Sequence, residues 1–178
     1  MNAAIFHGWG GKPGDFWYPY LKKGLEARGY SVWLPQLPNA DDPSVGEWLN
    51  FTLKNGEYNE ETVLIGHSMG GPLILALLEE LKPPIRKAVI VSGFVTRSEP
   101  NKMLKDAYDW KKIKGNCKEF VFINSDNDPY DCNDKQGRLM LDKLGGIQVI
   151  ISGEGHFGSF KCNQPYETFP LLLKLALD

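Results

Sequence analysis

The chain of 178 residues is 42% hydrophobic and 24% charged, with a formal net charge of −2. A chain of this length is expected to form one domain, here residues 1–178, and to bury roughly 70% of its unfolded surface. The near-neutral charge excludes the basic footprint of a nucleic-acid binder, and no apolar run reaches the roughly 18 residues that a membrane-spanning helix needs.

In chain order, residues 3–6 form a short apolar run that reads as a first strand, because "MNAAIFHGWGG" lacks the basic start and long apolar stretch of a signal peptide. The glycine-rich loop His7-Gly8-Trp9-Gly10-Gly11 follows. It is no dinucleotide fingerprint, since the G-x-G-x-x-G spacing from Gly8 ends on Pro13. A helix is expected over 15–28, capped by Gly29, and then a strand over 32–34. Val45, Trp48, Leu49, Thr52 and Leu53 fall on one face of a second helix. The run 63–65 leads directly into Gly66-His67-Ser68-Met69-Gly70. Met69, Leu73, Leu77 and Leu81 then repeat at helical spacing until Pro83-Pro84 stops the helix. Further strand-like runs lie at 88–91, 120–123 and 149–151. Between the first two of these, residues 95–118 leave room for one or two short helices but not for a large cap domain. A last helix is expected after Pro165, through "ETFPLLLKLAL", with Pro170 in its first turns or kinking it. This alternation predicts an α/β fold with a six-stranded, mostly parallel sheet and helices on both faces. Such sheets bind ligands at the carboxyl ends of their strands.

G-x-S-x-G between a strand and a helix is the pattern of a nucleophile elbow. The serine sits on a sharp turn whose flanks approach so closely that a Cβ would clash, which accounts for Gly66 and Gly70. A phosphate loop would need the Lys of G-x-x-x-x-G-K-[ST], which is missing. Serine needs a base to become a nucleophile, and the chain has three histidines. His67 adjoins Ser68 and must project away from it, and His7 ends the first strand. His156, in "ISGEGHFGSF" beyond the last strand, is therefore the candidate base. An orienting acid is expected in "NSDNDPYD", where Asp126, Asp128 and Asp131 share one rim, and spacing alone does not choose between Asp126 and Asp128. The Met69 and Trp9 N–H groups are the candidate oxyanion donors. Trp9, Phe16 and Trp17 are candidates for an apolar acyl wall, with Tyr108 and Trp110 overhanging from the insert. Cys117, Cys132 and Cys162 show neither disulfide-framework nor zinc-site spacing, so free thiols in a reducing cytoplasm are expected, without metal or organic cofactor.

Taken together, "HGWGG", "FWYPYLKKGLEARGYSVWLPQLPNADDPSVGEWL", "IGHSMGG", "VIVSGF", "SDNDPY" and "GEGHFG" give the chain a resemblance along nearly its whole length. It resembles the small serine hydrolases that include retinoblastoma-binding protein 9 and the bacterial YdeN-like hydrolases. The resemblance implies a compact α/β-hydrolase fold that starts directly at the central strands. It implies Asp128, the residue before Pro129, as the acid, with Ser68 and His156 at the family's nucleophile and base. "DPYDCND" departs from family members that carry a hydrophobic residue and a proline there, which bears on the loop around Asp131 and Cys132. The expected activity is hydrolysis of carboxylic esters, or related acyl bonds, of a small-molecule substrate. The alternative is a non-catalytic module that binds a partner protein, for which a strained elbow would cost stability to no purpose.

Overall fold

Strands whose consecutive residues are apolar must be covered on both faces, and that requirement organises the molecule. The computed structural model, which describes residues 1–97 and 101–178, contains β1 (Asn2–Phe6), α1 (Tyr18–Glu26), β2 (Ser31–Trp33), α2 (Val45–Asn55), β3 (Val63–His67) and α3 (Gly70–Leu78). These are followed by β4 (Ile85–Val91), α4 (Trp110–Gly115), β5 (Cys117–Asn124), α5 (Asp134–Leu144), β6 (Ile147–Ile150) and α6 (Pro170–Leu177). The six strands lie in the order β2-β1-β3-β4-β5-β6, and every pairing is parallel. Alternate strand residues enter different cores. Phe6, Leu64, Ile90 and Phe122 pack beneath α2, α3, α4 and α5, whereas Ile5, Ile65, Val89 and Ile123 pack beneath α1 and α6.

The helices are shorter than periodicity alone suggests, for local reasons. Residues 15–17 form turns before α1, with Phe16 in the left-handed region at φ +48°. α3 ends at Leu78 rather than Leu81. α6 starts at Pro170 itself, whose fixed φ suits the first helical position. α5 was not foreseen: charged residues and Gly137 interrupt its apolar stripe, so only Gly137, Met140 and Leu144 are buried. Residues 98–100 of the segment expected at 95–118 lie outside the described residues, and among the described ones it holds one short helix, α4. It is pinned to the end of α3 by buried Glu79, which pairs with Lys105 and accepts the Asp109 N–H at 2.7 Å. The chain moves from β1 one way to β2, then crosses back past β1 to β3 and continues outward to β4, so the loops after β1 and β3 diverge. The crevice at such a switch point is where a parallel sheet takes its ligand.

Candidate active site

The turn after β3 forms a tight elbow. Ser68 has φ +54°, a left-handed conformation that a non-glycine residue adopts only at a cost. A Cβ on Gly66 would lie 2.5 Å from the Gly70 carbonyl oxygen, and one on Gly70 would lie 2.5 Å from that of Phe6. Both glycines are therefore demanded by close approach. The half-buried Ser68 sits at the N-terminus of α3, where unpaired N–H groups gather. The loop after β1 folds over the elbow, and a Cβ on Gly8 would meet Ser68 Cβ at 2.8 Å.

That loop is oriented by His7. The Leu37 N–H donates to His7 Nε2 at 3.0 Å, so the ring proton resides on Nδ1, which donates to the Gly8 carbonyl at 2.8 Å. In a trans peptide the N–H points opposite to the carbonyl. Fixing the Gly8 carbonyl therefore aims the Trp9 N–H the other way. Neither the Trp9 nor the Met69 N–H donates to another described residue, and both residues line the cavity that contains Ser68.

Across the cavity, His156 follows β6. Its Nδ1 lies 2.7 Å from Asp128 Oδ2, and both side chains are buried. Burial pushes the Asp128 carboxyl up. The hydrogen bond with His156 and the Tyr130 N–H at 2.8 Å outweigh it and hold the pKa below its ordinary value. Of the other two acids on that rim, Asp126 turns away to accept from Ser152 Oγ at 2.7 Å and the Gly153 N–H at 3.0 Å. Asp131 is exposed at the cavity wall. The Asp128 loop and the His156 loop are thus zipped together, with Asn127 Oδ1 accepting the Gly155 N–H at 2.8 Å.

The cavity measures about 650 Å³. Ser68, His156, Trp9, Met69 and Phe16 all line it, together with Phe94, Arg97, Tyr130, Phe160 and Lys161. Trp17 and Trp110 do not. Trp17 is fully buried, with its indole N–H donating to the Phe157 carbonyl at 2.8 Å, so it supports the His156 loop from beneath. Trp110 opens α4 and packs with Tyr108 against the core beneath that helix. Both were misassigned because an aromatic beside a glycine-rich loop or within an insert carries no sign of which side it faces. Tyr130 was missed: its ring lies 4.7 Å from the His156 ring, edge-on, and its hydroxyl meets Ser159 Oγ at 2.8 Å. The only hint in the sequence was its place two residues after Asp128.

Asp128, Cys132 and His156 present oxygen, sulfur and nitrogen atoms within 4.8 Å of one another. Two of these atoms are already bonded to each other. Burial pushes the Cys132 thiol up to about 12, and the Arg97 guanidinium donates to its sulfur at 2.9 Å. A cation here would have to displace the Asp128–His156 hydrogen bond and a thiol proton beside a fixed positive charge.

The serine hydrolase family matches this chain over residues 3–175. YdeN of Bacillus subtilis (strain 168) is 32% identical over 96% of the chain and 92% of its own length. The serine hydrolase RBBP9 of Rattus norvegicus is 25% identical over 99% of the chain and 97% of its own length. The crystal structure of the B. subtilis ydeN gene product superposes with a TM-score of 0.88 at 25% identity, covering 98% of this chain and 96% of that one. Est1E from Butyrivibrio proteoclasticus, with ferulic acid bound, shares the fold at a TM-score of 0.71 and 13% identity, covering 98% and 86%.

Proposed function

Because the chain belongs to the serine hydrolase family, we propose that it hydrolyses carboxylic esters of small molecules through an acyl-enzyme on Ser68. The observation that carries this reading is one cavity lined by a left-handed elbow serine and a buried histidine bonded to a buried aspartate. His156 Nε2 takes the Ser68 proton as Oγ attacks the carbonyl carbon, and Asp128 holds the ring with its Nδ1 proton turned away from the serine. The carbonyl oxygen becomes an oxyanion facing the Trp9 and Met69 N–H groups, each worth about 3–4 kcal/mol in comparable sites. His156 returns the proton to the departing alcohol. Water, deprotonated by the same ring, then cleaves the acyl-enzyme to release the acid.

About 650 Å³ with aromatic walls suits a small acyl or aryl ester. Among the described residues no helix is long and apolar enough to cross a membrane, and the three free cysteines fit a reducing cytoplasm. The test is hydrolysis of a graded series of p-nitrophenyl esters by the wild type and by Ser68→Ala. The account expects turnover that the alanine variant loses. A partner-binding role would survive Ser68→Ala, which removes one oxygen and leaves the surface intact, and full biological function in that variant would overturn the catalytic reading.

A further inference from the structure

We infer that His67 and Gln164 are positioning residues that hold the base by its backbone, His67 at the His156 carbonyl and Gln164 at the His156 amide. The inference rests on reading His156 as the base.

His67 lies one residue before the elbow serine, and its side chain leaves the turn on the side away from Ser68. Its Nε2 lies 2.7 Å from the His156 carbonyl oxygen, and its Nδ1 lies 2.7 Å from the Tyr18 hydroxyl. A carbonyl only accepts, so Nε2 must carry the ring proton, and Nδ1 must accept from the Tyr18 O–H. The tautomer is thereby fixed from both ends. Burial, reinforced by the nearby His156 ring, lowers the His67 pKa to about 3, so the ring stays neutral. The titratable groups that face it are Tyr18 and His156, with Asp128 and His7 at longer range. Phe16, Trp17 and Tyr18 pack against it edge-on, which leaves the ring little freedom to rotate.

Gln164 secures the other side of the same residue. Its Oε1 accepts from the His156 N–H at 3.1 Å and the Gly158 N–H at 3.3 Å, while its Nε2 donates to the Glu154 carbonyl at 2.5 Å. Gln164 is itself anchored, because its backbone pairs with Ser159 in both directions at 2.8 and 2.9 Å. Asp128 thus governs the rotation of the base's ring, and these two side chains govern where the ring's Cα sits. The consequence is a short ruler. The side chain that pins the base and the serine it must reach are consecutive residues, so the reach from base to serine is set locally although His67 and His156 are 89 residues apart in sequence.

The test uses His67→Phe, which keeps a ring of similar size without the donor, and His67→Gln, whose amide N–H reaches as far as Nε2. With an ester substrate, His67→Phe should lose about 10- to 100-fold in kcat, taking as a guide the range by which loss of an outer-shell partner of a metal-ligating histidine lowers activity. KM should stay unchanged, and His67→Gln should recover most of the loss. Gln164→Met, on a partly exposed loop, keeps the test open if His67→Phe does not fold, and it should lower kcat at constant KM in the same way. A folded His67→Phe or Gln164→Met variant with wild-type kcat overturns the inference while Ser68-dependent activity keeps the hydrolase reading. Ester hydrolysis that persists in Ser68→Ala overturns both.

Discussion

The two banks of the cavity are built by different means. On the Ser68 bank the backbone does the work: a left-handed serine, glycines whose added Cβ would clash with backbone, and the N-terminus of α3. On the His156 bank the work is done by side chains that reach across the fold. Asp128, His67, Gln164 and Trp17 each contribute a hydrogen bond to residues 156 or 157. A backbone device is local, so it leaves a motif of five consecutive residues. A side-chain scaffold draws on positions far apart in the chain and leaves almost no motif.

The contrast is broken most severely at the groups taken to react. Asp128→Asn should keep the fold and lower kcat by about 10³- to 10⁴-fold, because the amide no longer holds the productive tautomer of His156. Steady-state kinetics with circular dichroism on the same sample check it. Next in size is the elbow. Gly66→Ala places a Cβ 2.5 Å from a backbone oxygen that has nowhere to go, and it should cost about 3 kcal/mol or more, read from a urea melt. Gly8→Ala meets a serine side chain instead, so it should impair turnover more than stability.

A smaller effect separates the banks by pH. An unfolded histidine takes up a proton near pH 6.5, about its ordinary pKa, whereas folded His67 does not until about pH 3. The unfolded chain binds more protons in between, so stability falls as pH drops through that window, by about 1.4 kcal/mol per pH unit from this group. His7, also lowered by burial, adds to the slope. Asp128 acts further down: its folded pKa is depressed, so its contribution is present above about pH 4 and is lost as pH falls through the folded value. Urea midpoints between about pH 6.5 and 4.5 should show a slope that His67→Gln reduces by one proton, and an undiminished slope would mean that the folded ring is protonated. The smallest effect is at the rim. Phe160 is 72% exposed and its ring lies 4.7 Å from that of Phe16. Phe160→Ala should raise KM a few-fold, about 1 kcal/mol of substrate contact, and leave kcat alone.

The sheet was legible because its strands are continuous apolar runs separated by glycine and proline signals, and the elbow because its glycines are sterically required. The candidate acid was not legible from spacing. Asp126 and Asp128 are equally good turn residues, and only the tertiary contacts send one to Ser152 and the other to His156. Resemblance, not residue chemistry, had singled out Asp128. α5 escaped because its exposed face is densely charged. Trp17 and Trp110 illustrate the same limit for the pocket. Large aromatics serve core and cavity alike, and the side chain's direction depends on packing partners tens of residues away.

The central claim is that Ser68 is the nucleophile, and the most direct measurement is mass-spectrometric mapping of the adduct left by a fluorophosphonate probe. The account predicts a single adduct on Ser68 in the wild type and none in folded Ser68→Ala. An adduct on any other residue, or labelling that persists in Ser68→Ala, would contradict it.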